Sequence, residues 1–126
     1  MNSILIIVNE PVLRHRLTSV LTEDGLEVAD VADYPAALKI LDKFSPDLAI
    51  IDEALPGGDG MVACSKIHDA LGIPIIVMGK DFNGAGWMRA AAAGASFYFP
   101  KPLHSREIVA RVGAIIRRYE IYHKVK

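Results

Sequence analysis

Cysteine and long apolar runs are both scarce in this chain of 126 residues. The single cysteine, Cys64, cannot form a disulfide within the chain, which is typical of a reducing compartment, so we expect a cytoplasmic protein. The apolar runs are far shorter than the roughly 20 residues that cross a bilayer, and no charged segment followed by an apolar one indicates a signal peptide. We therefore expect a soluble, unprocessed chain with no membrane contact.

The chain also lacks an excess of charge of either sign, since its formal net charge at pH 7 is −1. This balance gives no support for nucleic-acid binding by the domain itself. The four histidines show no metal-ligand spacing, so we expect no zinc site. With 52% hydrophobic residues the chain is unlike a disordered segment, and its length suits one buried core. We predict a single domain over residues 1–120 and a C-terminal tail or linker start over residues 121–126.

Short apolar runs alternate along the chain with segments of helical spacing. Runs in which every residue is apolar are typical of strands in a parallel sheet that is covered on both faces. These runs predict strands over residues 4–8, 48–51, 73–78 and 97–99, with the more mixed residues 26–31 as an edge strand.

Five helices are predicted between and after these strands. We expect Asn9 to cap the first helix, with Pro11 in its first turn. The second follows Pro35 and carries apolar residues as far as Phe44. The remaining three helices are expected from Gly60 to near Gly72, over residues 85–93, and along the amphipathic residues 108–119.

Five such β-α units with short connections predict right-handed crossovers and an open, doubly wound α/β sheet. Ligands of these sheets bind at the carboxyl ends of the strands. Asp52 ends the third strand, where its carboxylate could act as an oxygen nucleophile toward phosphorus. Lys101 ends the fifth and could neutralise a carboxylate or a phosphate. Taken singly, each residue has an ordinary alternative, a loop cap for Asp52 and a surface lysine for Lys101.

Four ordered segments together resemble the CheY-like receiver domain of bacterial response regulators. They are residues 4–11 (ILIIVNEP), 47–52 (DLAIID), 55–60 (LPGGDG) and 93–102 (AGASFYFPKP). The resemblance runs from about Ile4 to Arg118, and its last part looks most like receivers joined to a winged-helix DNA-binding domain. It implies a flavodoxin-like, five-stranded parallel sheet of order 2-1-3-4-5 with five helices. It also implies a signalling module, not an enzyme, that is either part of a transcription regulator or a free-standing receiver.

The resemblance further implies a phosphoryl switch. In the family, a histidine kinase donates a phosphoryl group to the aspartate that matches Asp52, and Mg²⁺ bridges that group to two acidic residues after the first strand. A threonine or serine after the fourth strand and the lysine matching Lys101 contact the phosphoryl oxygens, which draws in an aromatic residue, here Tyr98. The family's Lys-Pro bond, here Lys101-Pro102, is usually cis.

The metal-binding positions depart from this pattern. The acidic pair falls on Val8, which has no ligand atom, and on Asn9, which has a neutral oxygen at best. Asp52 and the backbone carbonyl of Ala54 would remain, whereas Mg²⁺ is commonly held by one or two carboxylates and phosphate oxygens. Glu10 matches an accessory position and would need a shift of the loop. We therefore expect no cofactor and weak or no Mg²⁺ binding.

The hydroxyl position falls on Gly79, which removes a phosphoryl contact and puts the coupling between Asp52 and Tyr98 in doubt. Lys80 follows and could place an ammonium near Asp52, or it could simply face solvent. Without metal and hydroxyl there is little to balance a phosphoryl charge, so we expect slow or absent phosphorylation.

The presumed output face departs as well. Similar receivers dimerise through the fourth helix, fifth strand and fifth helix by acidic-basic pairs. Here Trp87 and Phe97 replace polar residues and could form an apolar patch for a partner or a homodimer, or they could pack into the core. Glu107 and Arg111 could still form ion pairs.

Three functions remain open from the sequence. The first is a receiver that acts through protein contacts, with Asp52 as a weak phosphoacceptor at best. The second is a functional receiver that is phosphorylated at Asp52 by a histidine kinase. The third is a flavodoxin-like module that binds a small ligand at the same strand ends.

Overall fold

The computed structural model describes residues 2–102 and 104–124. The strands are β1 (Ser3–Ile7), β2 (Glu27–Val31), β3 (Leu48–Asp52), β4 (Ala54–Leu55), β5 (Gly58–Asp59), β6 (Ile75–Gly79) and β7 (Phe97–Pro100). The helices are α1 (Pro11–Glu23), α2 (Tyr34–Ile40), α3 (Gly60–Leu71), α4 (Ala85–Ala92) and α5 (Ser105–Lys124).

The main sheet has five parallel strands in the order β2-β1-β3-β6-β7. This confirms the predicted order, because β4 and β5 form a separate antiparallel hairpin and β6 and β7 are the fourth and fifth strands of the sheet. The register places Ile4 beside both Val28 and Leu48, so β1 and β3 form the centre of the fold with β6. The predicted flavodoxin-like α/β fold with five helices is confirmed.

The sheet is covered by helices on both faces, which explains its unalternating apolar strands. Side chains of β3 point alternately to opposite faces, so that Ala49 and Ile51 enter one core and Leu48 and Ile50 enter the other. Residues of α2, α3 and α4 close the first core, and residues of α1 and α5 close the second. All five residues of β3 and of β6 are buried.

Two local predictions are corrected. The N-cap of α1 is Glu10 rather than Asn9, and its carboxylate accepts hydrogen bonds from the backbone N–H groups of Val12 and Leu13 at 3.0 and 2.7 Å. Glutamate can cap this helix because its carboxylate oxygens reach the free N–H groups of the first turn. The helix α2 ends at Ile40, short of the predicted Phe44, although Phe44 still packs against the first core.

The sequence also gave no prediction of the β4-β5 hairpin that follows Asp52. Its turn contains Gly57 with φ of 70°, a backbone conformation that glycine adopts without steric cost. The hairpin leads directly into Asp59, whose carboxylate caps α3 by accepting from Met61 N–H at 2.8 Å.

The C-terminal helix α5 continues to Lys124, and residues 125–126 lie outside the described part of the chain. The division of the chain at residue 120 therefore stays a prediction. Of the helices that the structure describes, none combines the length and the apolar character needed to cross a membrane.

A substitution in the middle of β3 tests the two-sided core. Ile50→Ala removes a side chain that is 0% exposed, and we expect the free energy of unfolding to fall by about 2–5 kcal/mol because a cavity remains. Leu38→Ala on α2 is the matched control, since Leu38 is 49% exposed and its loss should change stability by about 0.5 kcal/mol or less. Urea unfolding measures both. Equal effects would contradict this account of the core.

Candidate functional site

Asp52 lies at the carboxyl end of β3 and is 3% exposed, which makes it the one buried charged residue in the described part of the chain. Its Oδ1 accepts a hydrogen bond from the backbone N–H of Ala54 at 2.9 Å. Its Oδ2 accepts from Nζ of Lys101 at 2.6 Å. Each carboxylate oxygen thus has a donor, and the contact with Lys101 has the short distance of a charge-assisted hydrogen bond.

Lys101 reaches Asp52 from the loop after β7. Its backbone N–H donates to the carbonyl of Gly79 at 2.7 Å, which ties this loop to the end of β6. The Lys101-Pro102 peptide bond is cis, as the resemblance predicted. The structure therefore brings together the two residues that the sequence placed on separate strand ends, 49 positions apart.

The three residues after β1 face in different directions. Val8 is 0% exposed and belongs to the core closed by α1 and α5. The amide nitrogen of Asn9 donates to the carbonyl of Ala32 at 3.4 Å, and Glu10 caps α1. Hydrogen bonds from the N–H groups of Leu13 and Val12 lower the pKa of Glu10, with smaller contributions from the positive charges of the nearby Arg16 and Lys101. Glu10 is therefore held as a carboxylate at the helix terminus.

Arg14, which sequence reasoning did not identify, binds the same loop. Its Nη1 donates to the carbonyl oxygens of Val8 and Asn9 at 2.9 and 3.0 Å, and its Nε lies 3.3 Å from Asp30. A guanidinium therefore binds two of the carbonyl oxygens at the end of β1. Over residues 2–102 and 104–124, no three His, Cys, Asp or Glu side chains are grouped so that they could hold a metal ion.

Tyr98 fills the space beside Gly79. Tyr98 is 1% exposed, and its hydroxyl accepts a hydrogen bond from the backbone N–H of Asp81 at 3.1 Å. A Cβ atom on Gly79 would overlap this hydroxyl and the carboxylate of Glu53. Burial raises the pKa of the Tyr98 phenol, so the ring is neutral around pH 7. The position that the resemblance assigns to a hydroxyl side chain is thus occupied by the tyrosine.

The sequence also did not predict an ion-pair cluster that includes Glu53, the residue after Asp52 in the chain. Arg89 on α4 donates from Nε to Glu53 at 2.8 Å and from Nη2 to Asp81 at 2.5 Å. The hydrogen bonds with Asp81 and Glu53 raise the pKa of Arg89 above its usual value. Since Glu53 and Arg89 are 36 positions apart and no motif connects them, the sequence held no signal for this cluster.

The side chain of Lys80 is exposed and forms no ion pair with Asp52 in the described structure. Its contact with a phosphoryl group therefore stays a prediction.

The predicted surface residues do come together. The rings of Trp87 and Phe97 meet edge to face with centroids 4.8 Å apart, and Trp87 remains 42% exposed. With Glu107 they line an open groove of about 550 Å³ between α4, β7 and α5. The Arg111 guanidinium lies over the Phe97 ring, 4.2 Å from its centroid, and the ion pairs of Glu107 and Arg111 stay a prediction.

A doubly wound sheet with a buried Asp-Lys pair at its carboxyl edge is the arrangement of the receiver class. The family described as "Response regulator receiver domain" matches residues 4–113. The chain belongs to this family of two-component signalling domains.

Curated relatives show the same similarity over nearly the whole of this chain. The sensory transduction protein RegX3 of Mycobacterium tuberculosis is 32% identical over 118 residues, which are 94% of this chain and 52% of that protein. The transcriptional regulatory protein AfsQ1 of Streptomyces coelicolor is 34% identical over 120 residues, 95% of this chain and 53% of that protein. The chain thus spans about half the length of the curated relatives it matches.

Solved structures agree with the fold. A two-component response regulator from Clostridium difficile superposes with a TM-score of 0.89 at 28% identity and covers 94% of this chain and 98% of its own. The receiver domain of the TMAO respiratory system response regulator TorR gives a TM-score of 0.88 at 29% identity, with coverage of 94% and 98%.

The unequal burial of the Asp52-Lys101 pair predicts unequal effects of removing its partners. Lys101→Met leaves a carboxylate that is 4% exposed without its cation, and we expect the free energy of unfolding to fall by about 2 kcal/mol. This is below the roughly 3–5 kcal/mol of a fully buried pair because Lys101 is partly exposed.

Asp52→Asn should cost less in the same urea titration, since the Lys101 side chain is 23% exposed and can turn to water. The double variant carries no unpaired buried charge and should be no less stable than Lys101→Met alone. A larger loss for Asp52→Asn than for Lys101→Met would contradict this description of the pair.

Proposed function

We propose that this receiver domain acts through protein contacts, with weak or absent Mg²⁺-dependent phosphorylation at Asp52. The observation that carries the proposal is the pair of positions after β1 that match the family's acidic residues, since they hold the buried hydrocarbon of Val8 and the neutral amide of Asn9. The domain is a binding module in this proposal, not an enzyme.

The donor set after β1 does not fit magnesium. Mg²⁺ needs hard oxygen ligands in octahedral geometry. Val8 has none, the side chain of Asn9 is hydrogen-bonded toward Ala32, and the carboxylate of Glu10 is engaged by the first turn of α1. Arg14 adds a positive charge at the carbonyl groups of this loop, which opposes a divalent cation. We therefore assign no metal cofactor to the domain.

Charge balance around a phosphoryl group is also unfavourable. Phosphoryl transfer depends on positioning and on neutralisation of the developing charge by metal ions and cations. Lys101 is the only cation paired with Asp52 in the described structure. The next residue after Asp52 is Glu53, which adds a negative charge. Gly79 offers no hydroxyl for the phosphoryl oxygens. These conditions support a slow reaction at best.

The partners follow from the family and from the length of the relatives. We propose a histidine kinase or another cytoplasmic signalling protein as the partner of this domain. The related MtrA of Mycolicibacterium smegmatis, named a DNA-binding response regulator, is 33% identical over 117 residues that make up 51% of its length. By this analogy the domain serves as the receiver of a transcription regulator and does not itself contact nucleic acid.

A functional phosphoacceptor is the second candidate. It is favoured by the Asp52-Lys101 contact at 2.6 Å, since this pair is what the family uses around the phosphorylated aspartate.

Acetyl phosphate with Mg²⁺ separates the two candidates. We expect the intact mass of the protein to show no gain, or only a small fraction gaining one phosphoryl group, because the family's acidic pair and hydroxyl side chain are absent. A receiver that carries both acidic residues serves as the positive control, and Asp52→Asn serves as the matched negative control. Efficient phosphorylation that Asp52→Asn abolishes would overturn the proposal in favour of the second candidate.

We also propose that the groove lined by Trp87 and Phe97 takes a second copy of this chain. Trp87→Ala should shift the mass measured by light scattering from dimer to monomer, because the exposed part of the indole would be buried in the contact. Val62→Ala on α3 is the control, since Val62 is 52% exposed but lies outside the groove. A monomeric parent, or a Trp87→Ala variant that stays dimeric, would count against this surface.

A further inference from the structure

Two glycines make room for the buried ring of Tyr98. Gly79 ends β6 and Gly86 lies in the first turn of α4. A Cβ atom on Gly86 would overlap the tyrosine ring, and one on Gly79 would overlap its hydroxyl. The inward position of Tyr98 therefore requires that both positions lack a side chain.

A continuous set of polar contacts runs from this hydroxyl to the residue beside Asp52. The Tyr98 hydroxyl accepts from Asp81 N–H at 3.1 Å, and the Asp81 carboxylate accepts from Arg89. Arg89 also binds Glu53, whose own N–H donates to the carbonyl of Met78 at 2.8 Å. We call Glu53, Arg89 and Asp81 the Arg89 bridge. It joins the loop after β3, the loop after β6 and helix α4.

The geometry of the bridge allows it to restrain the loop after β6. Arg89 contacts Glu53 through both Nε and Nη2, and Nη2 also reaches Asp81, so that a planar guanidinium sets the relative positions of two carboxylates. An isolated exposed ion pair contributes little, but several charges in one network with good geometry contribute more. Loss of the guanidinium would leave Glu53 and Asp81 as two like charges that repel each other.

Tyr98 in turn contacts the surface of α4. The Tyr98 ring lies 6.4 Å from Trp87, centroid to centroid, and Trp87 rests on Phe97. A displacement of the Tyr98 ring would therefore change the packing of the aromatic residues that line the groove.

We propose that the Arg89 bridge holds Tyr98 in its buried position without a phosphoryl group on Asp52, so that the Trp87-Phe97 surface is presented constitutively. This deepens the proposed function, because it gives that domain a fixed state in place of a phosphorylation-dependent one. Arg89 is a positioning residue in this account. It acts on Tyr98 through the backbone of Asp81.

Nuclear magnetic resonance of the whole chain without any phosphodonor tests the bridge. The parent should show nuclear Overhauser effects between the Tyr98 ring protons and the α-protons of Gly86. Arg89→Met keeps an unbranched stem and removes the guanidinium. It should lose these effects and speed hydrogen exchange of the Asp81 amide by about three- to tenfold, the range expected for one lost hydrogen bond.

Arg106→Met on α5 is the matched control, since Arg106 is exposed and lies outside the bridge, and it should change neither readout. Unchanged exchange of the β3 amides shows that Arg89→Met is folded. If a folded Arg89→Met keeps both the ring contacts and the slow exchange of Asp81, the proposal is wrong.

Gly79→Thr provides a second test from the opposite side. The new side chain would overlap the Tyr98 hydroxyl, so the contact between Tyr98 and Gly86 should be lost. Gly58→Thr is the control, because a Cβ atom there meets no atom within 4 Å. Retention of the Tyr98-Gly86 contact in Gly79→Thr would overturn the steric part of the proposal.

These outcomes are distinguishable from those of the phosphorylation assay. Efficient phosphorylation of Asp52 would refute the proposed function while the ring contacts could still be present. Absence of the Tyr98-Gly86 contact in the parent would refute the bridge alone.

Discussion

Lys101 Nζ lies 2.6 Å from Asp52 Oδ2, and this contact joins two strands that are not neighbours in the sheet, since β6 lies between β3 and β7. A carboxylate at 3% exposure is costly unless a partner compensates its charge. The loop after β7 therefore has to fold back over the end of β6, where Lys101 N–H also meets the carbonyl of Gly79.

The parts of the fold that the sequence predicts are those that repeat a periodic pattern. The apolar runs of β1, β3 and β6 carry a signal in every residue, because both faces of the sheet are buried. The N-terminus of α1 and the hairpin after Asp52 depend instead on single contacts. Glu10 replaces Asn9 as the N-cap because its longer side chain reaches two free N–H groups, which no periodicity reports.

The residues of the candidate site likewise divide into those that the sequence predicted and those that it did not. Asp52 and Lys101 could be placed from the sequence because strand ends meet at one edge of a parallel sheet, whereas Tyr98 was placed by the resemblance to the receiver family. Arg14 and Arg89 could not, since their partners are backbone carbonyls or acidic residues that have no characteristic spacing. Of the predicted surface residues, Trp87 and Phe97 do pack together, and Arg111 lies over the face of the Phe97 ring, a contact that the sequence did not predict.

The contact of Arg14 with the carbonyl oxygens of Val8 and Asn9 limits how this loop can be redesigned. A carboxylate introduced at position 9 alone would arrive beside a guanidinium that already binds the loop, and an ion pair with Arg14 would compete with any cation for it. A redesign that introduces an acidic metal ligand at position 9 therefore has to change Arg14 in α1 as well.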